Sequence, residues 1–228
     1  MFYYTDIYYL ILVLPALIVA MIAQSMVQST YKKYAKVSSG RGYTAQEITR
    51  RILDDNGLSH IRIEAVGGNL TDHYDPKAGV IRLSDSVRNS TSVAAIGVAA
   101  HEAGHAVQKQ VGYAPIKARN AVLPAVQFAS YAAIPLAVIG YIMGNSLMTV
   151  GIILFAVTVL FQLITLPVEF DASRRAMATL RENGYLEGNE LSGAKKVLTA
   201  AAMTYVASAL VAVMNLLRLV ILANNRRD

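Results

Sequence analysis

Long uncharged runs alternate with polar stretches along the chain. Residues 7–27, 121–143, 147–168 and 197–217 contain no Asp, Glu, Lys or Arg. Each matches the roughly 20 residues an α-helix needs to cross the hydrocarbon of a bilayer. A core helix of a soluble bundle would keep a polar stripe towards water, and these runs have none. Four membrane-crossing helices are therefore predicted. Pro124 and Pro135 interrupt the second run, which a membrane helix tolerates when neighbours satisfy the freed carbonyls. Gly144-Asn145-Ser146 separates the second run from the third.

The polar stretch over residues 28–120 reads as a small α+β domain. Thr44 and Glu47 form a capping-box pattern that opens a short helix ending at Asn56-Gly57. From His60 to Glu64 polar and apolar residues alternate, predicting a half-buried strand with Ile61 and Ile63 inward and His60 on the surface. Turns are expected at Gly67-Gly68-Asn69 and from Asp75 to Gly79, with a second strand over 80–84. Ser90, Thr91 and Ser92 offer caps for a long helix reaching Val111 and closed by Gly112.

Composition sharpens this picture. Apolar residues make up 54% and charged residues 16%, well below the quarter or so usual in soluble domains. The absence of cysteine removes disulfide scaffolds, Cys-ligated zinc and thiol nucleophiles. The net charge of +6 is concentrated: 13 of the 21 Lys and Arg lie in residues 28–120, 5 in 169–196 and 3 in 218–228. No basic residue precedes the first run, while Lys32, Lys33 and Lys36 follow it, the pattern of an uncleaved anchor with its N-terminus outside. The expected plan is an N-terminal anchor (1–27), a cytoplasmic domain (28–120), a transmembrane hairpin (121–168), a second cytoplasmic segment (169–196) and a C-terminal hydrophobic segment (197–228). Arg218, Arg226 and Arg227 fit it poorly, since a fourth crossing would leave them outside. The basic charge reads as topology and contact with the lipid bilayer, not as a nucleic-acid footprint.

The chemistry lies in the long helix of the polar domain, at His101-Glu102-Ala103-Gly104-His105. Positions i and i+4 leave a helix on one face, so the two imidazoles can bind one tetrahedral Zn²⁺. Glu102, one residue round, is placed to take a proton from water. A catalytic zinc site needs a third protein ligand. The longer H-E-x-x-H-x-x-G-x-x-H form is excluded because Gln108 and Val111 occupy its Gly and His positions. Glu169 and Asp171, at the end of the third run, are the candidates, and about 200° of helix rotation between them allows only one to face the metal. Glu169 is preferred, since it follows the third run on the expected cytoplasmic side, close to the membrane surface.

His101-Glu102-Ala103-Gly104-His105 followed by Glu169-Phe170-Asp171-Ala172-Ser173 resembles the zinc peptidases of the HtpX and CAAX-prenyl-protease clan, with their H-E-x-x-H and later E-F-x-A-D. The chain is more closely similar to the YugP-type membrane zinc metallopeptidases of bacteria. That likeness runs through the first anchor, the stretch from Asp72 to Lys77, the His-Glu helix, residues 166–175 and the last hydrophobic segment. The resemblance implies His101, His105 and Glu169 as ligands of one Zn²⁺ per chain, with Glu102 as base. It departs from the clan at Ser173, where an Asp that could orient a ligand histidine is expected. In the clan the strand before the zinc helix is a sheet edge that pairs with extended substrate, which maps here onto residues 80–84.

The expectation is thus a mainly α integral membrane protein of the bacterial plasma membrane, with about four transmembrane helices and a small zincin-like domain. Its function would be zinc-dependent cleavage of peptide or protein substrates at the cytoplasmic face. Asp171, Ser173, Arg174, His73 and Tyr205 are candidate supporting or substrate-facing residues; the last three could also stabilise an oxyanion. Two other readings compete. A site-2-type intramembrane protease would require the zinc helix itself to span the bilayer. A scaffold with structural zinc would need a fourth ligand, His73 or Asp171.

Overall fold

The structure is a computed structural model that describes residues 6–143 and 145–225. Gly144 of the anticipated loop, and Arg226 and Arg227, lie outside the described residues. In chain order the elements are α1 (Leu14–Tyr34), α2 (Ala45–Asp55), β1 (Arg62–Val66), β2 (His73–Asp75), β3 (Val80–Ser84), α3 (Asp85–Arg88), α4 (Val93–Gln110), α5 (Ala114–Met143), α6 (Asn145–Glu182) and α7 (Gly188–Asn224). The chain is mainly helical, and it divides into two compact units.

One unit comprises Met1–Gln24, Ala118–Leu166 and Met203–Asp228. It holds most of the four helices long and apolar enough to cross a membrane: Tyr9–Tyr34, Ala114–Met143, Ser146–Glu182 and Gly188–Asn224. A short π-helical turn, Tyr9–Val13, leads into α1. Every predicted span is a helix, and each helix continues past its apolar run. Ile22, Phe128, Tyr131, Ile142 and Ile153 point outward, as expected of side chains that meet lipid. Small residues line the contact between α5 and α6. A Cβ on Gly151 would come within 2.5 Å of the Ala137 nitrogen, and Ala133 and Ala137 are buried opposite it. Such close backbone approach drives helix association in a medium without a hydrophobic effect. Arg218, the misfit of the charge pattern, lies on unbroken α7 with both Nε and Nη2 2.6 Å from Asp6 Oδ2. The carboxylate neutralises it locally.

The other unit comprises Ser25–Lys117 and Pro167–Ala202. Thr44 caps α2 with both halves of the capping box formed, and Asn56 closes the helix before Gly57 at φ +69°. Ser92 caps α4 by accepting from the Ala95 N–H, and Gly112 at φ +66° ends it. The first strand begins at Arg62, two residues later than the alternation suggested; Ile61 is buried before it and Ile63 half-buried within it. Ile48, Ile52, Leu53, Ile81, Leu83, Val87 and Ile96 form the core around α4. That helix is rich in Ala and Gly, so its neighbours approach closely. A Cβ on Gly97 would touch Ala194 of α7 at 3.5 Å, and one on Gly104 would lie 2.7 Å from the Ala172 carbonyl oxygen of α6.

The sheet corrects one expectation. Its order is β1-β3-β2, with β1 parallel and β2 antiparallel to β3. Residues 80–84 therefore form the central strand, bonded on both sides, and cannot receive a substrate strand. The reason is the three-residue strand His73–Asp75, which folds back over β3 and takes the edge position. Arg82 of β3 ties the pair together through Asp75 at 3.0 Å. Asp72 accepts from both the N–H and the hydroxyl of Ser84, at 2.7 and 3.0 Å.

Candidate metal centre

The donors come from α4 and α6. The i, i+4 spacing stacks the His101 and His105 rings edge to face, centroids 4.7 Å apart. Glu169 enters from α6: its Oε2 lies 3.2 Å from His101 Nε2 and 3.5 Å from His105 Nε2. All three donor atoms fall within 4.8 Å of one another. Donors about 2.0–2.1 Å from a tetrahedral zinc stand roughly 3.4 Å apart. The separations from Glu169 match that figure, and two imidazoles with one carboxylate form the donor set of an open zinc site. The residues fit the metal.

Glu102 lies beside this cluster. Its Oε2 accepts the Tyr74 backbone N–H at 2.9 Å, so the side of β2 turned away from β3 faces the cluster. Burial pushes the Glu102 carboxyl above the usual carboxylate range, only partly countered by the two histidines. Burial works to lower the pKa of His105, but hydrogen bonds and charge from Glu169, Glu102 and Gln108 outweigh it and raise it.

The other candidates divide. Ser173 Oγ lies 3.0 Å from His101 Nδ1, occupying the place where the clan has its Asp. Asp171 is buried but turned from the donors: it accepts from Gln108, from Arg175 at 2.6 Å, and from Arg174. Arg174 is thereby engaged on Asp171. His73 is exposed, with Nδ1 2.8 Å from the Thr71 carbonyl. Tyr205 lies on α7 in the other unit. Among the described residues the group that could hold a metal has three members, one short of a closed structural site. The zinc helix α4 is enclosed by the core of its own unit and is not one of the four candidate spans, against the intramembrane arrangement of a site-2-type protease.

Sequence reasoning passed over Gln108 except to exclude the longer motif. It is fully buried, with Oε1 3.0 Å from His105 Nδ1 and Nε2 2.7 Å from the Val168 carbonyl. The available signal was its spacing: three residues beyond a candidate ligand histidine, on the same face of the helix.

An H-E-x-x-H helix opposed by a glutamate from a second helix, in a chain with four apolar helices, defines a membrane zinc metallopeptidase architecture. The chain belongs to the family described as "Putative neutral zinc metallopeptidase", whose model matches residues 9–224. It is 48% identical over 221 residues to the "Putative membrane protease YugP" of Bacillus subtilis (strain 168), an alignment covering 96% of this chain and 98% of that protein. No solved structure matches it.

Proposed function

We propose that this protein is an endopeptidase in which His101, His105 and Glu169 hold one Zn²⁺ and Glu102 serves as general base. The observation that carries this reading is the convergence of three zinc-compatible donors beside a buried carboxylate. Zinc bound there would polarise a peptide carbonyl and make a water acidic enough to ionise near neutral pH. Glu102 takes the proton from the attacking water and delivers it to the nitrogen of the departing amine. Tyr74, on the edge strand β2, donates its N–H to Glu102 and so places that strand beside the same space. An extended peptide running along β2 would bring its scissile bond to Glu102, a placement that replaces the excluded pairing at residues 80–84. The charge pattern, with 18 of 21 basic residues in the segments 28–120 and 169–196, supports an active site on the cytoplasmic face of a bacterial plasma membrane and an N-terminus outside.

The test compares detergent-purified wild type with Glu102→Gln and Glu169→Gln for bound zinc and for cleavage of an unfolded model protein. One zinc and cleavage in wild type, zinc without cleavage in Glu102→Gln, and lost zinc in Glu169→Gln support the reading. Bound zinc with no cleavage by wild type would sink it in favour of a scaffold. Zinc retained in Glu169→Gln would remove Glu169 from the ligand set.

A further inference from the structure

Gln108 is one turn beyond His105 on α4, and its carboxamide is closed off from water among three partners. Its Nε2 faces two acceptors, the Val168 carbonyl at 2.7 Å and Asp171 Oδ2 at 3.0 Å. Its Oε1 faces His105 Nδ1 at 3.0 Å. A carboxamide donates only from nitrogen and accepts only at oxygen. Asp171 keeps its acceptor character because Arg174 and Arg175 both grip it. Turning the amide round would bring its oxygen against a carbonyl and a carboxylate in a buried site, setting acceptor against acceptor and removing the Gln108 donor from both. The amide therefore has one orientation, with its oxygen towards His105, and His105 Nδ1 must carry the hydrogen. The lone pair of the neutral ring is then on Nε2, the atom 3.5 Å from Glu169.

His101 is held by a looser partner. The Ser173 hydroxyl at its Nδ1 can rotate to donate or to accept, so it orients the ring without dictating which nitrogen is protonated.

We propose that Gln108 is a positioning residue of the metal centre: clamped by Val168 and Asp171, it presets His105 as the tautomer that can ligate zinc. The inference rests on the zinc reading above and adds an asymmetry to it. The Gln108 side of the site is rigidly specified, and the Ser173 side is not. Outer hydrogen-bond partners of ligand histidines are worth roughly 10–100-fold in metal affinity, and the larger share here falls to Gln108.

The experiment measures zinc affinity by competition with a chromophoric chelator, on detergent-purified wild type, Gln108→Met, Asp171→Asn and Ser173→Ala. The visible absorption of each Co²⁺-loaded protein reports the ligand field, which a merely structural change would leave alone. Met nearly matches Gln in volume but neither donates nor accepts strongly. The expected result is zinc binding weakened about 10–100-fold in Gln108→Met with an altered cobalt spectrum, a several-fold loss in Asp171→Asn, and the smallest loss in Ser173→Ala. Gln108→Met matching wild type in affinity and spectrum overturns the proposal, as does Ser173→Ala costing more than Gln108→Met. Where Gln108→Met loses its helical circular dichroism, Asp171→Asn decides: several-fold weaker binding upholds the clamp and unchanged binding overturns it. A wild type that takes up no zinc overturns the metal reading and this inference together, whereas uptake indifferent to all three substitutions overturns this inference alone.

Discussion

Gly104, the residue before the second histidine of the motif, is expected to tolerate no side chain. A Cβ there would lie 2.7 Å from the Ala172 carbonyl oxygen and 3.3 Å from both Cα and carbonyl carbon of the same residue. Favourable carbon contacts begin near 3.5 Å, so Gly104→Ala must push α4 and α6 apart locally by roughly half an ångström or more. The obstacle is backbone in mid-helix, with no side chain to swing away. Overpacking of this kind costs about 1–3 kcal/mol, offset by about 1 kcal/mol of helix propensity gained over Gly. The larger consequence is functional. Ala172 adjoins Ser173 and lies less than a turn from Glu169, so the displacement enters directly into the 3.2 and 3.5 Å donor separations. Zinc sites hold their distances to about 0.2 Å. Gly104→Ala should therefore lower zinc affinity by at least about tenfold, an outer-partner-sized effect, while lowering the melting temperature only slightly. Gly97→Ala is the control on the same helix: its Cβ would meet Ala194 at 3.5 Å, an ordinary contact, so it should bind zinc like wild type and melt no lower. The assay is chelator competition beside a thermal melt for both variants. Gly104→Ala binding zinc as tightly as Gly97→Ala would refute the reasoning.

Other outcomes follow from the same structure. In the membrane unit, Asp6→Asn leaves the Arg218 guanidinium without its carboxylate, and should destabilise the fold by about 1–3 kcal/mol more than the double change Asp6→Asn with Arg218→Leu, which removes both charges; equal melting temperatures would show the pair to be idle. Asp75 is held down to a pKa of about 2 by the Ala78 N–H and the Arg82 guanidinium. Because the folded value lies below the ordinary one, its contribution is present above about pH 4 and lost as the pH falls through 2. Wild type should then lose melting temperature faster than Asp75→Asn between about pH 4 and 2, and parallel curves would count against the pairing.

Features carried by local spacing were open to reading from the sequence. The capping residues Thr44 and Ser92, the closing glycines Gly57 and Gly112, and the four apolar runs each depend on neighbours within a turn or on a long average. The two histidines share a face by helix geometry alone. What escaped was set by distant parts of the chain. β2 has three residues, too few for an alternation to register, yet it takes the sheet edge and moves residues 80–84 to the centre. Ser173 was within reach only through the family resemblance, because nothing in its own neighbourhood shows that it lies against a histidine 72 positions away. Gln108 looked like a mismatch to a longer motif, because the partners that give it meaning, Val168 and Asp171, lie on another helix. Gly104 read as a filler position of the motif; its requirement for a bare backbone exists only once α6 is laid against it.

The third donor has a place in time as well as in space. His105 and Glu169 lie 64 positions apart, and the residues between them include all of α5 and the whole apolar run of α6. As the chain is synthesised, both histidines and Glu102 emerge while Glu169 has yet to be translated. The nascent polar domain then carries two of the proposed zinc donors and the proposed base but not the third donor. Glu169 arrives only after the hairpin residues have been made and are ready to enter the bilayer. Completion of the proposed centre therefore waits on synthesis of the hairpin, and a chain stalled before its second span lacks the carboxylate that would close the set.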